Sequence, residues 1–300
     1  MQVGVSLASF HGDGDGPEAV RRMIERARVA REAGLDSLTV GDHHANPATY
    51  LQNVPILARL TAEWDTRRPT GCLFLLPLWH PVLVAEQVGT LASLVEGTFV
   101  LQTGLGDGEA QFAAMGADLR TRGRRLEAAV EVIRSLFAGE RVDAAEFGIT
   151  GARVHPVPPR PVEWWIGGDS APARRRAARL GDVWYAGPYL PTGQVTRRLE
   201  EYRAWCAENG RPARAAVRRD VIVLDDADRA RRLGDELVAR GYRGLPRDSL
   251  VYGGVHDAVE AFAALAEAGF EQVVVRCMTV DQADACATLA NCGEVRRRLA

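Results

Sequence analysis

Three stretches of this chain share one grammar. AREAGLDSLTV at 30–40, AARLGDVWYA at 177–186 and LAEAGFEQVVV at 265–275 each read as helix, glycine, acid, strand. Gly34, Gly181 and Gly269 stand where a helix ends and a left-handed residue lets the chain turn into the next strand. The alternation runs the whole length. Apolar segments at 2–8, 36–41, 71–76, 99–104, 163–168, 182–187, 216–224 and 272–277 are each followed by a helical pattern. The first helix is expected from Pro17, and the next over 53–64, 81–95, about 120–137, 171–180, 192–208 and 227–240. A further helix over 257–268 precedes the last strand, and one over 281–298 closes the chain. Strands this apolar are covered by helices. Eight such units in 300 residues predict an α/β fold, a (β/α)8 TIM barrel. With no break in composition, a single domain over 1–300 is expected, and the Pro- and Gly-rich segment 140–161 reads as an insertion after the fourth unit.

Composition narrows the chemistry. There is no lysine, and all 37 basic residues are arginine, which removes Schiff-base catalysis, pyridoxal phosphate anchoring and the P-loop lysine together. A net charge of −2 gives no support to nucleic-acid binding. No apolar run reaches the roughly 20 residues of a membrane span, so a cytoplasmic protein is expected. The five cysteines are odd in number and widely spread, and are expected to be buried thiols.

In a barrel of this kind the chemistry collects at the C-terminal ends of the strands. Asp42, His43 and His44 end strand two, GLGDGEA (104–110) ends strand four and GGDSAPA (167–173) ends strand five. Neighbouring residues point apart, so Asp42, His43 and His44 do not converge on one metal ion, and only His11 and His80 stand at other strand ends; no metal site is expected. A single imidazole there suits proton transfer, with a loop histidine bonded to backbone as the plainer alternative. In GLGDGEA, Gly104 lets the backbone approach a flat ligand, and Glu109 is the one ionisable group suited to acid–base work. Gly167, Gly168 and Ser170 precede Pro172 at a helix start, an arrangement that holds phosphate, with Asp169 opposing. Arg122 and Arg125 are placed to add positive charge.

Taken together, GLDSLTVGDHH, LPLWHPVLVAEQVGTLASL, GLGDGEAQFAAMG, RGRRLEAAVEVIRSLFAGE and WIGGDSAPARRRAARLGDVW resemble the luciferase-like monooxygenase superfamily, in the order the family carries them. Within it they are most similar to the branch using the deazaflavin coenzyme F420. The resemblance covers nearly the whole chain. It implies a barrel binding a flavin or deazaflavin at its top, with Asp42 contacting the cofactor and His43 transferring a proton near the reacting carbon. Glu109 is then a second acid–base group, and Gly167, Gly168 and Ser170 are phosphate ligands. It also implies a non-prolyl cis peptide in strand three, near Cys72–Leu73 or Leu73–Phe74, that brings Leu73 against the ring. The chain departs from the pattern at Thr98, Gln102 and Phe112; the amide of Gln102 would narrow the ring site or lie against it.

The function so implied is hydride transfer between reduced F420 and a small organic substrate. The alternative is an FMN-dependent two-component monooxygenase fed by a separate reductase; a barrel that binds cofactor without turnover is a third class. A homodimer is expected. The strand-one loop Phe10–Gly16, Tyr50, Trp79 and Tyr189 are candidates to line the pocket.

Overall fold

The computed structural model describes residues 1–300. The chain runs β1 (Gln2–Leu7), α1 (Gly16–Glu32), β2 (Leu38–Val40), α2 (Asn53–Leu60), β3 (Thr70–Phe74), α3 (Pro81–Ser93) and β4 (Phe99–Thr103). It continues through α4 (Glu109–Ala114), α5 (Arg122–Phe137), β5 (Val142–Ala144), β6 (Ile149–Ala152), β7 (Glu163–Gly167), α6 (Ala171–Leu180), β8 (Val183–Ala186) and α7 (Thr192–Glu208). The last third holds β9 (Ala215–Val223), α8 (Ala227–Ala239), β10 (Val251–Gly253), α9 (Val255–Ala268), β11 (Gln272–Cys277) and α10 (Gln282–Arg298).

Eight of these strands close a parallel ring in the order β1–β2–β3–β4–β7–β8–β9–β11 and back to β1. They are the eight that the apolar segments predict. Three short features escape the sequence pattern: α4, the antiparallel pair β5–β6 inside the 140–161 excursion, and β10. None exceeds six residues, too few for a period to show. β10 exists by pairing outside the ring with Val221–Val223, the far end of the nine-residue β9.

The main core of 61 buried residues lies between the ring and its helices. Inside the ring, Val100, Trp165, Val183, Ala216 and Val274 pack together beneath the strand ends. The interior is therefore filled low down, and what lies above it is the mouth of the barrel. No helix is long and apolar enough to cross a membrane.

Two expectations are corrected here. Gly34 and Gly269 take the left-handed conformation (φ 80° and 99°), but Gly181 is extended at φ −94°. Space, not handedness, calls for glycine there: a Cβ would lie 2.9 Å from the Ala177 carbonyl oxygen. The cis peptide in strand three is also absent. The one cis bond is His155–Pro156, so Cys72–Leu73 and Leu73–Phe74 are trans. β3 keeps unbroken register on β4 from Thr70–Phe99 to Phe74–Thr103, as an extended trans backbone does, and a non-prolyl cis bond would cost about 2.5–4 kcal/mol.

Candidate active site

The strand-two tip divides its side chains between two sides. Gly41 lies under the Tyr50 hydroxyl, so that a Cβ at 41 would be 3.1 Å from it, and the His43 ring sits 5.6 Å from the Tyr50 ring. Asp42 and His44 point the other way, toward the loop after β3, as alternation along an extended chain requires. Asp42 is buried; its Oδ2 accepts the Leu75 amide and the Trp79 indole N–H, both at 2.8 Å. Its Oδ1 lies 3.4 Å from His44 Nε2. The His44 ring meets Trp79 edge-on at 5.2 Å, and these two residues line a cleft of about 480 Å³ between α2 and α3 that also includes Leu83 and Met115. A second depression, about 680 Å³, lies outside the barrel among α5, α6 and α7, lined by Glu127, Arg175, Arg176, Arg179 and Trp205 beside the start of α6.

Side chains pin the loops around the mouth. Gln52 donates to the His43 carbonyl at 3.1 Å, and Asn53 donates to the Leu73 carbonyl at 2.7 Å. The His44 amide donates to Gln111 Oε1 at 2.8 Å, and Gln111 Nε2 donates to the Asp107 carbonyl at 3.0 Å, so α4 is tied to the strand-two tip. The strand-one loop is held to the segment before α2: the His11 and Thr49 amides donate to the Thr49 and Gly12 carbonyls, and the Leu51 amide to the Ser9 carbonyl. His11 is pushed down to about 4 by burial, then by Arg26 and Arg22, and is neutral near pH 7.

A polar layer covers the barrel interior. Alternate residues of β8 and β9 carry Tyr185, Arg218 and Asp220 above Val183 and Ala216, while Gln102 rises above Val100 on β4 and Arg276 above Val274 on β11. Burial pushes the Tyr185 and Tyr50 hydroxyls up to about 12. Burial alone would raise Asp220, but Arg218, Arg276 and Arg243 outweigh it and hold the carboxylate below its usual range. Of this layer only Gln102 and Tyr50 stood out in the sequence. The signal for the rest was present: charges at 218, 220 and 276 interrupt strands that are otherwise apolar.

The other expected residues fall in several places. Glu109 opens α4 and is exposed. Gly104 ends β4 beneath Leu75, and Leu73 faces inward in register with Gln102. Ser170 caps α6, its Oγ accepting the Ala173 amide at 3.4 Å, and Asp169 turns away to accept the Gly187 amide at 3.1 Å. Gly167 and Gly168 complete that turn; Gly168 has φ 127° and packs on Ala173, where a Cβ would come within 2.6 Å. Arg125 is engaged elsewhere: its Nε donates to the Pro77 carbonyl at 3.0 Å and its guanidinium lies 4.6 Å over Phe147. Arg122 donates to the Leu119 carbonyl at 2.8 Å. All five cysteines are free thiols, and only Cys286 is not buried. Nowhere do three His, Cys, Asp or Glu side chains come together as metal ligands.

Residues 1–271 match the family model described as "Luciferase-like monooxygenase". The chain belongs to the luciferase-like monooxygenase family. Among luciferase-like relatives, the F420-dependent glucose-6-phosphate dehydrogenase 2 of Rhodococcus jostii is 30% identical over 173 residues. That match covers 54% of this chain and 51% of the relative, so it spans about half of each. An F420-dependent secondary alcohol dehydrogenase in complex with an F420–acetone adduct superposes with a TM-score of 0.80 at 16% identity, covering 96% of this chain and 97% of the other. The FMN-bound oxygenating constituent of 3,6-diketocamphane monooxygenase from Pseudomonas putida also gives 0.80, at 17% identity over 98% and 97% of the two chains. At these identities the two structures establish a shared luciferase-like fold.

Proposed function

We propose that this protein is an F420-dependent oxidoreductase acting on a small organic substrate at the barrel mouth. The observation that carries the reading is the placement of His43: β2 delivers its imidazole to the mouth, against Tyr50, with Nδ1 buried and without a partner in the chain. Gln102 Nε2, Ser9 Oγ and one Arg218 nitrogen are likewise buried and unpaired at the mouth. Buried polar atoms are rarely left so, and each costs about 1–3 kcal/mol unless a ligand or water meets it. A flat polar ring across the mouth suits that set.

Bound there, deazaflavin would supply the hydride chemistry. The chain's part is to place and protonate. His43 holds or moves a proton at Nδ1 or Nε2, Asp42 fixes Leu75 and Trp79 beside the strand-two tip, and Glu109 is the second acid–base group on the rim. The Gly167–Gly168 turn and the capped start of α6 would receive a phosphate. The relatives named as F420-dependent support this choice. One single domain over 1–300 and a homodimer belong to the same reading.

FMN is the second reading, favoured by the equal structural match to an FMN-bound monooxygenase component; it would call for a separate reductase. Titrating the purified protein with F420 and with FMN, followed by fluorescence, decides between them. Micromolar F420 binding is expected, and FMN binding with no F420 response would overturn the preference.

A further inference from the structure

The mouth holds more positive charge than the protein neutralises. Arg218 and Asp220 of β9 and Arg276 of β11 share the inward face, with Arg276 in register beside Asp220. Asp220 is the sole carboxylate in this group and both its oxygens are taken. Oδ1 accepts Arg218 Nε at 2.9 Å; Oδ2 accepts the Tyr242 hydroxyl at 3.0 Å and Arg243 Nη1 at 2.9 Å. Arg276 is half-buried, its charge acts on Asp220 and Tyr50, and the Asp220 oxygens beside it are bonded to other residues. Arg218 Nη2 is buried with no acceptor, and so is Gln102 Nε2 from β4.

On the β9–β11 side the count is three guanidiniums against one carboxylate, and the buried unpaired atoms there, Arg218 Nη2 and Gln102 Nε2, are both donors. A buried N–H without an acceptor is unfavourable, so Arg218 Nη2 and Gln102 Nε2 call for an acceptor from outside the chain. The acceptor geometry that meets guanidinium groups best is an oxyanion.

We propose that Arg218 and Arg276, with Arg243 at the rim, bind the oxyanion head group of the substrate: a carboxylate, phosphate or sulfonate. The proposal rests on the reading of the mouth as the active site. It fixes the direction in which a substrate lies. Its charged end takes the β9–β11 side, and its neutral end extends past Tyr50, beyond β1, toward His43 on β2. Tyr50 marks that path, since its ring is 5.6 Å from His43 while its hydroxyl feels Arg276 and Arg243.

The test titrates the full chain with inorganic phosphate, acetate and methanesulfonate at constant ionic strength. Calorimetry reads binding, and F420 and FMN affinities are measured on the same samples. Saturable binding of at least one oxyanion is expected, weakened about tenfold or more in Arg276→Gln and in Arg218→Gln, the loss associated with a charged hydrogen bond. Which probe binds tightest names the head group. Arg276→Gln breaks no hydrogen bond within the chain, so it carries the test if Arg218→Gln fails to fold. Wild-type protein that binds none of the three overturns the proposal, as does binding that survives in Arg276→Gln. A parallel tenfold loss of F420 or FMN affinity overturns it too, by giving the arginines to the cofactor. If wild type binds neither cofactor yet shows Arg276-dependent oxyanion binding, the cofactor reading alone fails.

Discussion

The indole of Trp79 donates to Asp42 Oδ2 at 2.8 Å, the same oxygen that takes the Leu75 amide. Through it the end of β2 and the loop after β3 are held as one piece beside the mouth. Asp42→Ala leaves two buried donors unpaired and is expected to destabilise the fold by about 3 kcal/mol, with Asp42→Asn losing roughly half of that. Urea denaturation measures both, and an Asp42→Asn variant as stable as wild type would show that the charge carries none of the effect.

His43 faces the mouth and His44 faces the cleft beside it, so the two imidazoles separate cleanly by mutation. His43→Gln is expected to lower kcat by about 10²–10⁴-fold, the usual share of a positioned acid or base, with little change in cofactor affinity. His44→Gln should change kcat far less. Rapid-mixing kinetics with the accepted cofactor reads the difference, and equal effects from both would contradict the division.

Acid should weaken the fold through His11. Its folded value is lowered from 6.5 to about 4 by burial and then by Arg26 and Arg22, so the unfolded chain takes up a proton in that window and the folded chain does not. Stability from this group is complete above pH 6.5 and is lost as pH falls toward 4. His11→Gln should flatten the Tm profile between those values. Asp220 acts lower: its depressed value means stability that disappears only as pH drops below the ordinary carboxylate range.

Ile133 is fully buried on α5, part of the layer between ring and helices. Ile133→Ala is expected to cost about 2–5 kcal/mol in chemical denaturation. A loss under 1 kcal/mol, roughly, would mean that the helix layer collapses around the gap.

Gln111 joins the strand-four loop to the strand-two tip. Gln111→Leu leaves the buried His44 amide without its acceptor, for a cost of about 1–3 kcal/mol. Because the bond also ties down the strand-two tip that carries His43, cofactor affinity should fall with it, and an unchanged dissociation constant would confine Gln111 to stability.

The periodic apolar segments of this chain determined the eight strands of the ring and their order, because burial on both faces leaves a strand little choice of residue. Local chemistry likewise marked Pro172 as a first-turn residue, while that Ser170 caps the helix came from the structure. Only the folded chain decided which of two neighbouring histidines looks into the mouth, since alternation is fixed but its phase is set by how β2 lies on its neighbours. It also decided that Arg125 stacks on Phe147, and that Arg218, Asp220 and Arg276 meet Tyr242 and Arg243. Those residues are distant along the chain, and their shared surroundings arise only when the ring closes.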